Sequence, residues 1–326
     1  MRARAPWIVS GLALAGAAAC TFDGLEGYTS GADASVVEGG PEASADAPAD
    51  QATPLDAPLD TTPAPCNLAA PFGPATKVSS IDTTRIEGQA ELSPDQLTVY
   101  FESDRLNTGL NVFTAARPDS TAPFGSASPL ASLNFTGADT WNVTLTGDGL
   151  TAYLVTDQGG ADHMYTATRA SSLASFGTPS MMPSPISTGE QPYVRPDGKV
   201  LYYSDGTSNA KVQIARATLG SSPTVTAVTL AVPGSHDVGI PVVDPTDTIL
   251  YFAVFDSTNI DSYDIWMATR AAVADPWSTP VPVTELNTPS FEAPSWISSD
   301  GCTLYFTHGP AADASVDWDV YSARRP

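Results

Sequence analysis

Ser93-Pro94-Asp95-Gln96-Leu97-Thr98-Val99-Tyr100-Phe101 joins a tight turn to a run of β-branched and aromatic residues, and the chain returns to this pattern four times. The later copies run Gly147-Asp148-Gly149 to Tyr153-Leu154, Pro196-Asp197-Gly198 to Tyr202-Tyr203, Pro245-Thr246 to Tyr251-Phe252, and Ser299-Asp300-Gly301 to Tyr305-Phe306. Their tyrosines, Tyr100, Tyr153, Tyr202, Tyr251 and Tyr305, stand 53, 49, 49 and 54 residues apart. Proline presets φ and glycine tolerates positive φ, so a Pro-Asp-Gly-type turn between β-rich runs reads as a tight hairpin.

Two further elements recur at matching places. The first appears as Asn111 to Ala115, His163 to Ala167, Val212 to Arg216, Asp264 to Ala268 and Asp319 to Ala323, each an alternating β run. The second is an aromatic before a Pro-rich extended run, at Phe124, Phe176 and Trp277; Pro223 to Val232 takes its place after the third unit, without the aromatic. With the inner segment before each turn, every unit offers four short strands. Four strands in a repeat of about fifty residues mark a propeller blade, so the expected fold is all-β, a five-bladed β-propeller.

The ring has a place to close. The fifth copy of the third strand is followed by only three residues, while an unclaimed outer-strand pattern, Pro71-Phe72-Gly73-Pro74 to Ile81, precedes the first blade. Pairing it with Asp319 to Ala323 would complete the last blade and remove two bare edges at once.

The units resemble the TolB-like propeller repeat, whose pattern runs Glu, Pro, Ser-Pro-Asp-Gly, Phe-Ser, Asp-Ile-Tyr. Glu87, Ser93, Pro94, Asp95, Tyr100, Phe101, Ser103 and Phe113 match in the first blade. Glu292, Pro294, Ser298, Asp300, Gly301, Tyr305, Phe306, Asp319 and Tyr321 match in the fifth; the fourth departs, with Thr246 at the aspartate place and no glycine. The resemblance spans nearly all of residues 70–326. It implies a binding scaffold and names no ligand, because such repeats serve varied partners. The α/β domain that TolB carries has no counterpart pattern in this sequence, so TolB's partner is not carried over.

Ahead of the repeats, residues 1–20 read as a lipoprotein-type signal peptide. Arg2 and Arg4 precede an apolar stretch from Trp7 to Ala15, and Gly16-Ala17-Ala18-Ala19 leads to Cys20. Cys20 is then the lipidation site. Ala17 stands where such signals usually carry leucine, and ordinary cleavage after Ala19 would leave Cys20 a free thiol. Residues 21–65 hold nine Asp or Glu and no Lys or Arg, and are Ala-, Pro- and Asp-rich. With so little apolar surface they are expected to be a disordered acidic tether with an r.m.s. reach of about 40 Å. The propeller is assigned to residues 66–326. This places the protein in the bacterial cell envelope, lipid-anchored to the outer membrane and monomeric.

The formal net charge of −22 makes nucleic acid a poor partner, since the surface field repels phosphate. Of the three cysteines, Cys66 and Cys302 remain once Cys20 is acylated, and an exported protein permits their pairing. Circular closure would bring both to the fifth blade; the other reading is two separate thiols.

Glu87, Asp139, Glu190, Asp237 and Glu292 open the inner strands and form an expected carboxylate ring at one channel mouth. Such a ring can bind Ca²⁺ or a cationic ligand. Alternatively each carboxylate accepts backbone N–H groups of the neighbouring blade and locks the ring. No Gly-x-Ser-x-Gly, His-Glu-x-x-His or phosphate loop occurs, and His163, His236 and His308 fall in different blades, in or beside turns. No metal site and no cofactor beyond that Ca²⁺ are expected. The expected function is non-catalytic binding or scaffolding, with a protein or peptide partner. Glycoside hydrolysis by channel carboxylates is the rival reading.

Overall fold

In each of the five Pro-Asp-Gly-type turns the fourth residue takes positive φ: Gln96 (59°), Gly149 (67°), Gly198 (66°), Asp247 (59°) and Gly301 (70°). Its N–H closes the turn, as Gln96 does on Ser93 O at 2.7 Å and Gly301 on Ser298 O at 2.8 Å. Side chains stiffen the corner: Ser93 Oγ donates to Asp95 at 2.5 Å, and Thr98 N donates back to Ser93 Oγ at 2.9 Å. The fourth blade reverses the roles. Asp244 supplies the carboxylate and accepts Thr248 N at 2.6 Å and Ile249 N at 2.5 Å, while Thr246 supplies the hydroxyl. The departure at Thr246 is thus a swap of donor and acceptor, with Asp247 in the glycine's conformation.

These turns build a five-bladed propeller in a computed structural model that describes residues 66–206, 212–234, 236–256, 259–309 and 317–326. Strand β1 (Thr76–Lys77) comes first. Blade one holds β2 (Glu87–Leu92), β3 (Thr98–Ser103), β4 (Asn111–Ala116) and β5 (Ser128–Pro129). Blade two holds β6 (Thr140–Leu145), β7 (Thr151–Thr156), β8 (His163–Thr168) and β9 (Ser180–Met181). Blade three holds β10 (Glu190–Val194), β11 (Val200–Asp205), β12 (Gln213–Thr218) and β13 (Thr224–Ala227). Blade four holds β14 (Asp237–Val243), β15 (Ile249–Asp256), β16 (Asn259–Thr269) and β17 (Val281–Pro282). Blade five holds β18 (Phe291–Ile297), β19 (Thr303–Gly309) and β20 (Asp319–Arg324), and takes β1 as its outer strand.

Closure follows the sequence expectation, in a shorter strand. Thr76 pairs with Ser322 and Lys77 with Tyr321, all antiparallel. Gly73 N donates to Arg324 O at 2.9 Å, and Val78 N to Val320 O at 2.8 Å, so contact extends on both sides of the two-residue ladder. Cys66 and Cys302 form a disulfide with Cα atoms 5.8 Å apart, across 236 positions of sequence. Inner strands β2, β6, β10, β14 and β18 touch in cyclic order, and the apolar second and third strands pack between blades around Phe101, Phe113, Tyr202, Phe252 and Phe306.

An arginine directly after the third strand ties each blade to the preceding one, except in blade three. Arg117 stacks on Phe124 at 4.5 Å, Arg169 on Phe176 at 4.4 Å and Arg270 on Trp277 at 4.1 Å. Arg325 stacks on Phe72 at 3.9 Å. The same guanidinium groups reach the repeat tyrosine of the preceding blade. Arg169 donates to the Tyr100 hydroxyl at 3.3 Å, Arg270 to Tyr202 at 3.3 Å and Arg325 to Tyr251 at 2.9 Å, and Arg117 bonds Tyr305. Blade three has Leu219 at this place and lacks the aromatic as well; Leu219 packs in the apolar cluster around Tyr153.

Candidate ligand-binding channel

All five inner strands carry a β-bulge midway. The register slips between Gly88 and Glu91, Trp141 and Thr144, Glu190 and Tyr193, Gly239 and Val242, and Pro294 and Trp296. At the first four, one residue sits at positive φ: Gln89 (45°), Asn142 (48°), Gln191 (49°) and Ile240 (52°). A bulge frees a backbone N–H from its ladder and re-aims a side chain. Here the freed groups reach across to the preceding blade. Gln89 N donates to Thr307 Oγ1 at 2.9 Å, Asn142 N to Glu102 at 3.0 Å and Ile240 N to Ser204 Oγ at 2.9 Å.

The bulges turn polar side chains toward the axis, where two cavities lie. The inner one is about 10 Å³, the room of a single water, and Gln89, Glu91, Asn142, Gln191, Tyr193 and Ser295 line it. The outer one is a funnel of about 230 Å³ on the Pro-Asp-Gly face. Leu92, Leu145, Val194, Trp296 and Ile297 form its apolar wall, with Pro94 and Pro196 at the exposed rim. Glu91 and Tyr193 border both spaces.

Glu91 is 5% exposed and accepts Leu145 N of the next blade at 2.6 Å. Burial pushes its carboxyl up to about 8, against the hydrogen bonds from Leu145 and Thr144. Glu102, behind the bulge of β6, is pushed up to about 7 by burial, and its Oε1 has no partner. Gln89 Nε2, Asn142 Oδ1 and Ser295 Oγ are likewise buried without a protein partner. Three of these unpaired atoms, on Gln89, Asn142 and Ser295, belong to residues lining the one inner cavity, a concentration that a folded protein normally avoids.

The expected carboxylate ring takes no part in these two cavities, and its members are not equivalent. Glu87 accepts Thr83 N and Oγ1, both at 2.8 Å, Ser103 Oγ at 2.8 Å and Arg105 at 3.0 Å. Glu292 repeats the scheme with Thr288 N at 3.0 Å, Thr288 Oγ1 at 2.5 Å and His308 Nδ1 at 2.8 Å. These two therefore hold the turn leading into their own blade. Asp139 and Asp237 do bond the preceding blade, through Leu110 N at 3.1 Å and Val212 N at 2.7 Å. Burial and Asp157 push Asp139 up to about 6. Glu190 is pushed up to about 7 by burial and Asp162.

His308 lies next to last in β19, beside the strand's end as expected, and faces Glu292. A further acidic group, Asp82, Asp317 and Asp319, has metal-ligand spacing. The Lys77 ammonium sits in it, 2.9 Å from Asp82 and 2.8 Å from Asp319.

Glu91, Trp296 and the bulge residues escaped the sequence reading, which placed the ring by strand order alone. The signal was present in Glu102, Ser204 and Thr307: each lies two places after its repeat tyrosine and is a buried polar group awaiting a neighbour's freed N–H.

No family model matches the chain, and no curated protein matches it in sequence. Solved structures resemble it at low identity. A putative TolB from Agrobacterium tumefaciens superposes with a TM-score of 0.48 and 15% identity, over 76% of this chain and 78% of that one. TolB from Acinetobacter baumannii gives 0.49 and 12%, over 74% of this chain and 55% of that one. The catalytic domain of a Coprinopsis cinerea GH62 α-L-arabinofuranosidase gives 0.48 and 13%, over 79% and 98%. The five-bladed fold itself is read from the chain's own strand pairing.

Proposed function

We infer that this propeller is a non-catalytic binding module of the cell envelope, and that a protein or peptide segment enters its axial funnel from the Pro-Asp-Gly face. One observation carries the reading. Among the described residues lining the two cavities, Glu91 is the only carboxylate, and it stands at the foot of an apolar funnel with aromatic walls. Glycoside hydrolysis needs two carboxyl groups at a defined separation across the bond to be cut. A lone buried acid suits recognition instead, because concave apolar sites with a few convergent polar groups fix ligand orientation. Export is supported by the Cys66–Cys302 disulfide, which belongs to an oxidising compartment, and by the leader at residues 1–20. Lipidation at Cys20 and the tether over residues 21–65 lie outside the described residues and complete the reading as a surface-held binder.

The test uses the full chain immobilised against its native envelope fraction. A defined protein or peptide should be retained, and the exposed-rim variant Pro94→Arg/Pro196→Arg should lose it. Retention unaffected by the rim change would put binding elsewhere. Hydrolysis of aryl glycosides, abolished by Glu91→Gln, would make the protein an enzyme.

A further inference from the structure

We propose that the channel recognises a primary alkylammonium group, as a lysine side chain presents it, with the nitrogen held at Glu91. This deepens the binding reading above and rests on it. The funnel and the inner cavity are complementary to the two halves of such a group. Apolar walls at Leu145, Val194, Trp296 and Ile297 suit a run of methylenes. The adjoining inner cavity, which shares Glu91 and Tyr193 with the funnel, holds about 10 Å³ and is lined mostly by polar groups.

An ammonium has three N–H donors and no acceptor. The inner cavity offers three buried oxygen acceptors: the Glu91 carboxylate, Asn142 Oδ1 and Ser295 Oγ. The latter two have no protein partner, and all three residues are at least nine-tenths buried. Among the described residues no Lys, Arg or His lines either cavity, so no side-chain cation there neutralises Glu91. That agrees with the upward push on its carboxyl, which a neighbouring cation would reverse.

Rival cations fit less well. A guanidinium is planar with five donors in a fork, too broad for a space of one water. Ca²⁺ takes six to eight oxygen ligands, typically from several carboxylates, and one carboxylate faces this cavity.

Isothermal titration of the full chain decides the matter. The probes are Nα-acetyl-lysine methylamide, its norleucine and arginine counterparts, and calcium chloride. The lysine probe should bind about tenfold or more tighter than the norleucine probe, the scale of a hydrogen bond to a charged group. Glu91→Gln should erase that difference with the near-UV dichroism unchanged, and Ser295→Ala should shrink it. Equal binding of lysine and norleucine, or tighter binding of arginine or Ca²⁺, overturns the proposal. So does silence of the lysine probe at millimolar concentration. The binding module itself falls with the rim-variant capture or the glycoside assay, neither of which uses these probes, so the two failures are separable.

Discussion

Arg325, the penultimate residue of the chain, stacks on Phe72 at 3.9 Å although 253 positions separate them in the sequence, and it donates to Tyr251 of blade four at 2.9 Å. The contact is the fourth copy of a latch that Arg117, Arg169 and Arg270 make with an aromatic seven residues onward. In the last blade that aromatic comes from the other end of the chain. Circular closure therefore preserves the latch as well as the strand.

Arg325→Ala should destabilise the propeller by about 2–3 kcal/mol, from a buried cation–π contact and an orphaned tyrosine hydroxyl together. Arg325→Lys should recover only part, since a point charge does not reproduce a planar group that stacks and hydrogen-bonds together. Urea unfolding of both variants measures this; Leu219→Ala, at the place without a latch, reports apolar packing alone.

Cys66→Ser/Cys302→Ser should cost about 4–5 kcal/mol in the chain-entropy model of a long closed loop. The ring should stay shut, because β1 keeps its hydrogen bonds to β20. Deleting residues 66–81 should instead strip the edge of β20 and cause concentration-dependent association. Light scattering distinguishes the two variants.

Stability should fall as pH rises from about 4.5 to about 8. Glu91 is pushed up to about 8 and Glu102 to about 7, both by burial. Each holds its proton in the folded state after the unfolded chain has released it, at about 1.4 kcal/mol per pH unit for each such group. Glu91→Gln should flatten the upper half of that slope. Below the ordinary carboxylate range the sign reverses, because hydrogen bonds to Ser93 and Thr146 hold Asp95 and Asp148 low. Thermal midpoints at pH 3, 5 and 8 should therefore peak near the middle value.

Cys20→Ser should abolish partition of the mature protein into detergent. A mature N-terminus with an unmodified Cys20 thiol would remove the anchor from the account.

The blades were legible because strand period and turn chemistry are local: Pro-Asp-Gly followed by Tyr-Phe states its conformation within a dozen residues. Closure was legible by bookkeeping, since one outer strand lacked a blade and one blade lacked an outer strand. The axial site was not. Inner strands keep Glu91 and Asn142 buried beside apolar neighbours, and only the bulge decides which of them faces the axis. A register slip leaves no compositional mark. The ring of acids was legible as a repeat, yet its roles divided. Glu87 and Glu292 each follow a threonine four places back that occupies the carboxylate, whereas Asp139 and Asp237 have none there.

Where the disulfide lies also decides how the domain bears load. Any pull that arrives along residues 21–65 enters the propeller at Cys66 and passes through a covalent bond into the hairpin of Cys302. The few hydrogen bonds of β1 lie downstream of that bond and carry none of the force. With the bond intact, tension acts on the interior strand β19; once it is reduced, the same tension peels β1 from its edge one hydrogen bond at a time. Held in an atomic-force experiment through its N-terminus, the propeller should yield at markedly lower force in reductant, and the chain's weakest mechanical element is thereby set by the redox state of its surroundings.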